Sequence, residues 1–359
     1  MTKNSKMRVC FPAFSAFLAI ALVFTACDQF PIFFTISHEV APKKAKIPGS
    51  PSKIVAGVDT LYVCNGDVWK AVSGSSWRWS SLSKPSSGPV RDLAHTTSAL
   101  YALTLGSKDH TSTIWKYTSS WTKVASAGNM RYQAIFNAGS DLVASAWSGS
   151  ASENGRDYSI VKIADDGTET VLKPGVNQLT GIANGFYATL GSGIFDSSFN
   201  QIAGTENKAI VGITEYEIGG FAAVSKDGYF FWGSGSSAQL KSYSPLSFTG
   251  AICNWTDLSN NKLLLIGVRL NSTQFGYHEM RVPDGIGGAL YYPGEGSPTS
   301  VSDRETYTTT IETRALNSIK QAGAPSQDGL PLLFASTQSD GLWSFRRDGG
   351  SRPVWNRED

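Results

Sequence analysis

From about residue 54 onward, short apolar runs alternate with clusters of Gly, Ser, Asn and Asp. Seven runs stand out: Leu61-Tyr62-Val63, Leu100-Tyr101-Ala102-Leu103, Leu142-Val143-Ala144, Phe186-Tyr187-Ala188, Tyr229-Phe230-Phe231-Trp232, Leu263-Leu264-Leu265-Ile266 and Leu332-Leu333-Phe334. Their starts lie 39, 42, 44, 43, 34 and 69 residues apart. A shorter run and a turn precede several of them, as in Leu179-Thr180-Gly181-Ile182-Ala183 before Asn184-Gly185, or the run 221–225 before Asp227-Gly228. Asn-Gly and Asp-Gly tolerate positive φ and mark hairpins. A third strand of alternating character follows, such as Val68-Trp69-Lys70, Ile114-Trp115-Lys116-Tyr117 or Leu342-Trp343-Ser344-Phe345. Then Ser75-Ser76-Trp77, Ser119-Ser120-Trp121, Ser197-Ser198-Phe199 and Leu246-Ser247-Phe248 place a small polar turn before an aromatic that opens a fourth strand.

A four-strand unit repeating every 40–50 residues predicts a propeller blade, and the interval of 69 requires an insertion. Runs such as 263–266 are apolar on both faces, so one sheet cannot bury them alone; radial stacking covers each face with a neighbour. The fold class is therefore all-β: a β-propeller of seven four-stranded blades, with six or eight also compatible, over residues 52–359. A two-sheet sandwich or an open solenoid is the rival architecture, but neither predicts this four-part unit.

In such a blade the first-to-second and third-to-fourth turns share one end, and the second-to-third turns and blade links share the other. The long segments fall in the second set: 106–111, 147–157, 271–277 and the links near 205–218 and 293–316. Loops held by a rigid scaffold commonly carry binding. The candidate contacts are Lys108, Asp109, His110, Trp147, Glu153, Asn154, Arg156, Asp157, Gln274 and Tyr277.

Charge and composition narrow the partners. The chain has 31 Lys+Arg against 29 Asp+Glu, which leaves no basic footprint for nucleic acid. Residues 1–8 carry Lys3, Lys6 and Arg8, and an uncharged apolar stretch runs from there to Phe24-Thr25-Ala26-Cys27. That arrangement describes a secretory signal over 1–26. It resembles a bacterial lipoprotein signal, which implies diacylglycerol and palmitate on Cys27, the new N-terminus. Phe24 stands where the usual pattern has Leu, Val or Ile. An uncleaved membrane helix and plain secretion are the alternatives, and all three put the body outside the cytoplasm, in the periplasm or at the cell surface, with either membrane as the anchor. Residues 27–51 form the tether. Within it Pro31-Ile32-Phe33-Phe34-Thr35-Ile36 is either a strand latching the last blade or an apolar patch beside the lipid. Cys64 and Cys253 lie in apolar strands of different blades and are expected to be unpaired.

Catalytic signatures are sparse. His38, His95, His110 and His278 have no zinc-ligand spacing. Gly191-Ser192-Gly193 and Gly233-Ser234-Gly235 are hairpin loops, since no helix follows to face a phosphate. Ser225-Lys226-Asp227-Gly228 approaches a glycosidase-type propeller turn, but its Gly is one place early. Asp165-Asp166-Gly167 is expected to be a turn rather than a calcium loop. No metal and no cofactor are expected. With the repeat and Cys27, the chain resembles bacterial β-propeller lipoproteins, treponeme-like ones most nearly, and 339–350 resembles a sensor-type blade motif. That resemblance concerns architecture and carries no function with it; Cys27, the repeat and the sparse catalytic signatures together lead to the expectation of a monomeric, lipid-anchored module of the cell envelope that binds a protein or glycan through its loop-rich end. An outer-membrane protein assembly scaffold and an extracytoplasmic glycan hydrolase are the alternatives.

Replacing Cys27 by Ala is expected to move the protein from the detergent phase to the aqueous phase in detergent partitioning. Unchanged partitioning would make the N-terminal stretch an uncleaved helix.

Overall fold

The run Phe221-Ala222-Ala223-Val224 is buried on both sides of its strand, so each sheet must be covered on two faces. In the computed structural model of the protein, the described residues are 46–73, 77–106, 111–126, 128, 130–149, 156–216, 219–243, 246–256, 262–269, 275–280, 290–291, 315–322, 331–346 and 354–358. They form seven antiparallel sheets, each a meander in chain order.

Sheet one holds β1–β4 (Val55–Ala56, Thr60–Cys64, Val68–Val72, Trp79–Leu82) and sheet two β5–β8 (Val90–His95, Leu100–Leu105, Ser112–Tyr117, Trp121–Ser126). Sheet three holds β9–β12 (Arg131–Ala138, Asp141–Gly149, Arg156–Ile163, Glu169–Val176) and sheet four β13–β15 (Leu179–Ala183, Phe186–Thr189, Gly193–Phe195). Sheet five holds β16–β19 (Ile210–Tyr216, Gly220–Ser225, Tyr229–Gly233, Gln239–Ser242) and sheet six β20–β23 (Ser247–Thr256, Lys262–Arg269, Phe275–Met280, Leu290–Tyr291). Sheet seven holds β24–β27 (Leu316–Gln321, Pro331–Thr337, Leu342–Arg346, Val354–Arg357).

The core is divided into seven apolar clusters, and each lies between two neighbouring sheets. Sheets one and two share Val55, Cys64, Leu93 and Ala102. The succession continues around to sheets six and seven, which share Cys253, Leu265, Leu333 and Phe345. The last cluster joins sheet seven to sheet one through Phe334, Leu342, Leu61 and Trp79. The ring is therefore closed: a seven-bladed β-propeller.

The closing seam is built by residues preceding β1. Ile47, fully buried, fills it. The Leu342 amide donates to Ile47 O (3.2 Å), the Gly341 amide to Gly49 O (2.8 Å) and the Lys46 amide to Glu358 O (3.0 Å). Asn317 Nδ2 donates to Pro51 O (2.9 Å), and the Ile54 amide to Ser318 Oγ (3.1 Å). Trp79 meets Phe334 edge-on at 5.2 Å across the same seam. Residues 46–51, read from sequence as tether, are thus built into the ring. The run 31–36 lies outside the described residues.

Three details differ from the sequence reading. In blade five the run 229–232 is β18, the third strand, and 221–225 belongs to β17, the second. Both are apolar throughout, so hydrophobicity alone does not set the phase. Blade four has three regular strands; its fourth position is reduced to a bridge between Phe195 and Gln201, after which Ala203 pairs with Ser237 of blade five. Leu246-Ser247-Phe248 leads into β20, the innermost strand of blade six, and 210–216 of the expected link is β16. The Ser-Ser-aromatic device does recur. Trp77 and Phe199 both adopt positive φ (57° and 60°) at corresponding turns, a conformation rare for bulky residues.

A polar clasp reinforces the inner ring. Asp92, 9% exposed, accepts the Ile135 amide of blade three (2.9 Å) and the Lys53 ammonium of blade one (3.0 Å). Lys53 Nζ also donates to Ile135 O and sits over the Phe136 ring at 3.9 Å. Three blades therefore meet at one carboxylate. Replacing Asp92 by Ala leaves an amide and an ammonium without this acceptor, and is expected to cost about 1.5–3 kcal/mol in urea unfolding. A loss within about 0.5 kcal/mol would remove the clasp from the account of stability.

Candidate functional site

The seven innermost strands surround a central channel of about 860 Å³. Its wall includes Ile54 and Val55, Leu93, Phe136, Thr180, Ile213, Ile252 and Ser318, one or more residues from every blade. The wall also includes Gly139 and Asp141 from the β9–β10 turn and Asn184 and Gly185 from the β13–β14 turn. The channel thus extends to the end where the first-to-second turns lie, here termed the hairpin end. The opposite end carries the blade links and is termed the link end.

Backbone proximity sets the wall's shape between blades five and six. A Cβ on Gly212 would lie 2.5 Å from Gly250 O, and one on Gly250 would lie 2.6 Å from Val211 O. Only glycine admits this approach of neighbouring inner strands. At the hairpin end, polar side chains tie blades together. Asn184 Nδ2 donates to Gly220 O (2.7 Å), Asn254 Nδ2 to Glu215 O (2.7 Å), and Gln321 Oε1 accepts the Thr256 amide (3.0 Å). Asp141 pairs with Lys162 at 2.7 Å, while Glu215 is exposed. The mouth combines amides, carboxylates and Lys320, and the accessible lining as a whole is more polar than apolar. The two aromatic rings of the wall are both engaged: Phe136 lies under Lys53, and Tyr187 packs on Phe199 at 4.9 Å. A second, shallower hollow of about 560 Å³ lies at the link end between blades one and two, beside the Lys84–Asp67 pair (2.6 Å).

Titratable groups outside the channel have structural environments. His95 stacks on Tyr62 (5.6 Å), and burial lowers its pKa. Asp165 accepts Lys116 Nζ (2.6 Å) and Tyr101 OH (2.5 Å), and these two hydrogen bonds hold its carboxyl below the usual range. It sits in the β11–β12 turn, where Gly167 has φ 86°. Cys64 and Cys253 are free, and burial pushes each thiol up to about 12. A thiol so placed is a poor nucleophile.

Of the residues singled out from sequence, Cys27, Lys108, Asp109, His110, Glu153, Asn154 and Gln274 lie outside the described residues. Trp147, Arg156 and Asp157 are not in a loop. The β10–β11 ladder continues through Trp147–Tyr158, Ser148–Asp157 and Gly149–Arg156, so the hairpin is longer than its composition suggests. Trp147, 4% exposed, carries the guanidiniums of Arg131 and Arg156 over its ring at 4.9 and 4.7 Å. Tyr277 belongs to β22, is 1% exposed and receives Trp355 Nε1 on its hydroxyl at 3.4 Å. The structure does not gather these four residues at one place. The channel residues Asn184, Glu215, Asn254 and Lys320 were missed in the sequence. Asn184 directly follows β13, and Glu215, Asn254 and Lys320 lie just before the ends of β16, β20 and β24, a signal of one position per blade.

The fold defines the class, and solved structures agree with it. The WD40 β-propeller domain of Doa1 is similar with a TM-score of 0.50 and 10% identity, over 84% of this chain and 93% of that one. YCF48 bound to D1 peptide is similar with a TM-score of 0.54 and 11% identity, over 85% and 96%. Likeness at this identity concerns the fold alone. By sequence, the chain belongs to the TP013X lipoprotein family, which it matches over residues 1–215. An uncharacterized lipoprotein of Treponema pallidum (strain Nichols) is 31% identical over 106 residues, a match covering 29% of this chain and 27% of the length of that relative.

Proposed function

We propose that the protein is an extracytoplasmic binding module, held to a membrane by lipid on Cys27, that seats a segment of a partner protein in its central channel from the hairpin end. The observation that carries this reading is the channel itself, walled by every blade and reaching the turns at that end. Its chemistry suits a polypeptide. The lining is mainly polar, so its amides and carboxylates can pair with backbone groups, while Leu93, Ile213 and Ile252 offer apolar contact to side chains. A glycan would call for an open aromatic platform, and both wall rings already have partners. YCF48, a protein of the same fold class, is described bound to a peptide, in keeping with this use of a propeller. Family membership supports the lipid. The long link-end loops first expected to carry binding lie largely outside the described residues.

A photo-crosslinking residue placed at Glu215 or Lys320 in producing cells is expected to give a discrete adduct with an envelope protein. The same residue at Ser86, at the link end, is expected to give none. Adducts from Ser86 alone would move the site to the other end, and an adduct that survives protease would make the ligand a glycan.

A further inference from the structure

The channel lining contains four charged residues: Lys53, Asp141, Glu215 and Lys320. Two of them are neutralised within the molecule. Lys53 Nζ meets Asp92 at 3.0 Å, and Asp141 meets Lys162 Nζ at 2.7 Å. Among the described residues, Glu215 and Lys320 form no ion pair, either with each other or with a neighbour. Glu215 is exposed and Lys320 half-exposed, each one residue before the end of its innermost strand and therefore at the hairpin-end mouth.

Strand alternation sets these two charges apart. Ile213 lies against Gly181 of blade four, where an added Cβ would be 2.6 Å from its Cγ2, and Glu215, two residues on, leaves β16 on the same face. Ser318 Oγ accepts the Ile54 amide of blade one (3.1 Å), and Lys320, two residues on, leaves β24 toward that blade. Gln321 confirms the phase by turning the other way, to the Thr256 amide of blade six. A carboxylate thus faces the gap between blades four and five, and an ammonium the gap between blades seven and one. Three of seven steps around the ring separate them, so they stand across the mouth from each other. Water satisfies both while the mouth is empty. A ligand that displaces this water must supply the opposite charge at each place or leave a charge buried without a partner.

We infer that the segment seated in the channel carries a basic side chain that meets Glu215 and an acidic side chain that meets Lys320. The inference rests on the proposed seating of a polypeptide from the hairpin end and names the chemistry of that polypeptide. A segment of uniform charge is repelled at one of the two positions, and a neutral one leaves both charges without partners. Lys53 and Asp141 exert no such selection, because their charges are already met from within.

The test uses the full chain in producing cells, with a photo-crosslinking residue at Asn137, an exposed and uncharged position of the channel wall. Glu215→Lys and Lys320→Glu are each expected to lower the yield of adduct about tenfold. Lys262→Glu, an equal change of charge at the same end but outside the wall, is expected to leave it within about 1.5-fold. If a reversal shifts melting, Glu215→Gln or Lys320→Gln takes its place, with an expected loss of about threefold. The crosslinked segment is then identified by mass spectrometry. Changing its base to Glu should restore the yield with Glu215→Lys, and changing its acid to Lys should restore the yield with Lys320→Glu. An adduct whose yield ignores either reversal, falls equally with Lys262→Glu, or is not rescued by the exchanged charges would overturn the inference and leave the seating intact. No adduct from Asn137, or one that survives protease, would overturn the seating and the inference together.

Discussion

Every sheet of this protein presents apolar side chains on two faces, and such a sheet must have a neighbour on each side. A linear stack would leave its first and last sheets uncovered, so the stack has to return to its start. The decisive contact is therefore the one between sheets seven and one. The sheets themselves do not exchange a strand across it; among the described residues each consists of consecutive strands. The seam is instead filled by the stretch 46–51, with Ile47 at its centre and backbone hydrogen bonds to Gly341, Leu342 and Glu358. Polar clasps such as Asp92 add direction to a contact that burial alone would leave free to slide.

Closure also produces the functional geometry. Seven inner strands facing one axis enclose a channel, and alternating strand direction gives that channel two unlike ends. Among the described residues the first-to-second turns of blades one to four are short, and strand termini there bring amides and carboxylates to the mouth. The other end carries the blade links and receives residues 46–51, which close the seam. A single topological rule thus gives the two ends of the channel different loops and different side chains.

Much of the architecture was legible because hairpin turns and apolar runs repeat together, and the four-part unit survives wide sequence variation. Where it was misread, the physics was ambiguous. β17 is buried throughout and β18 at its three central positions, so blade five slipped by one strand. Blade four replaces a strand with one bridge, which leaves no periodic trace. Residues 46–51 include Pro48, Gly49, Ser50 and Pro51, a composition typical of linkers, and only Ile47 marks the plug. The site was less legible. Trp147 and Tyr277 were read as contact residues because they fall in the long segments 147–157 and 271–277, but the strand ladders take in both residues and their side chains are buried. The channel mouth was hidden because its polar residues appear once per blade, too sparsely for a pattern.

The claim that ring closure at the seam sustains the whole fold is tested most directly by native-state hydrogen exchange on Ile47→Ala. Truncating this fully buried side chain is expected to lower stability by about 2–4 kcal/mol. If closure is shared, the slowest amides accelerate together, including those of Ala144 and Val224 in blades three and five, well away from the seam. Faster exchange confined to β1–β4 and β24–β27, with Ala144 and Val224 unchanged, would contradict the account.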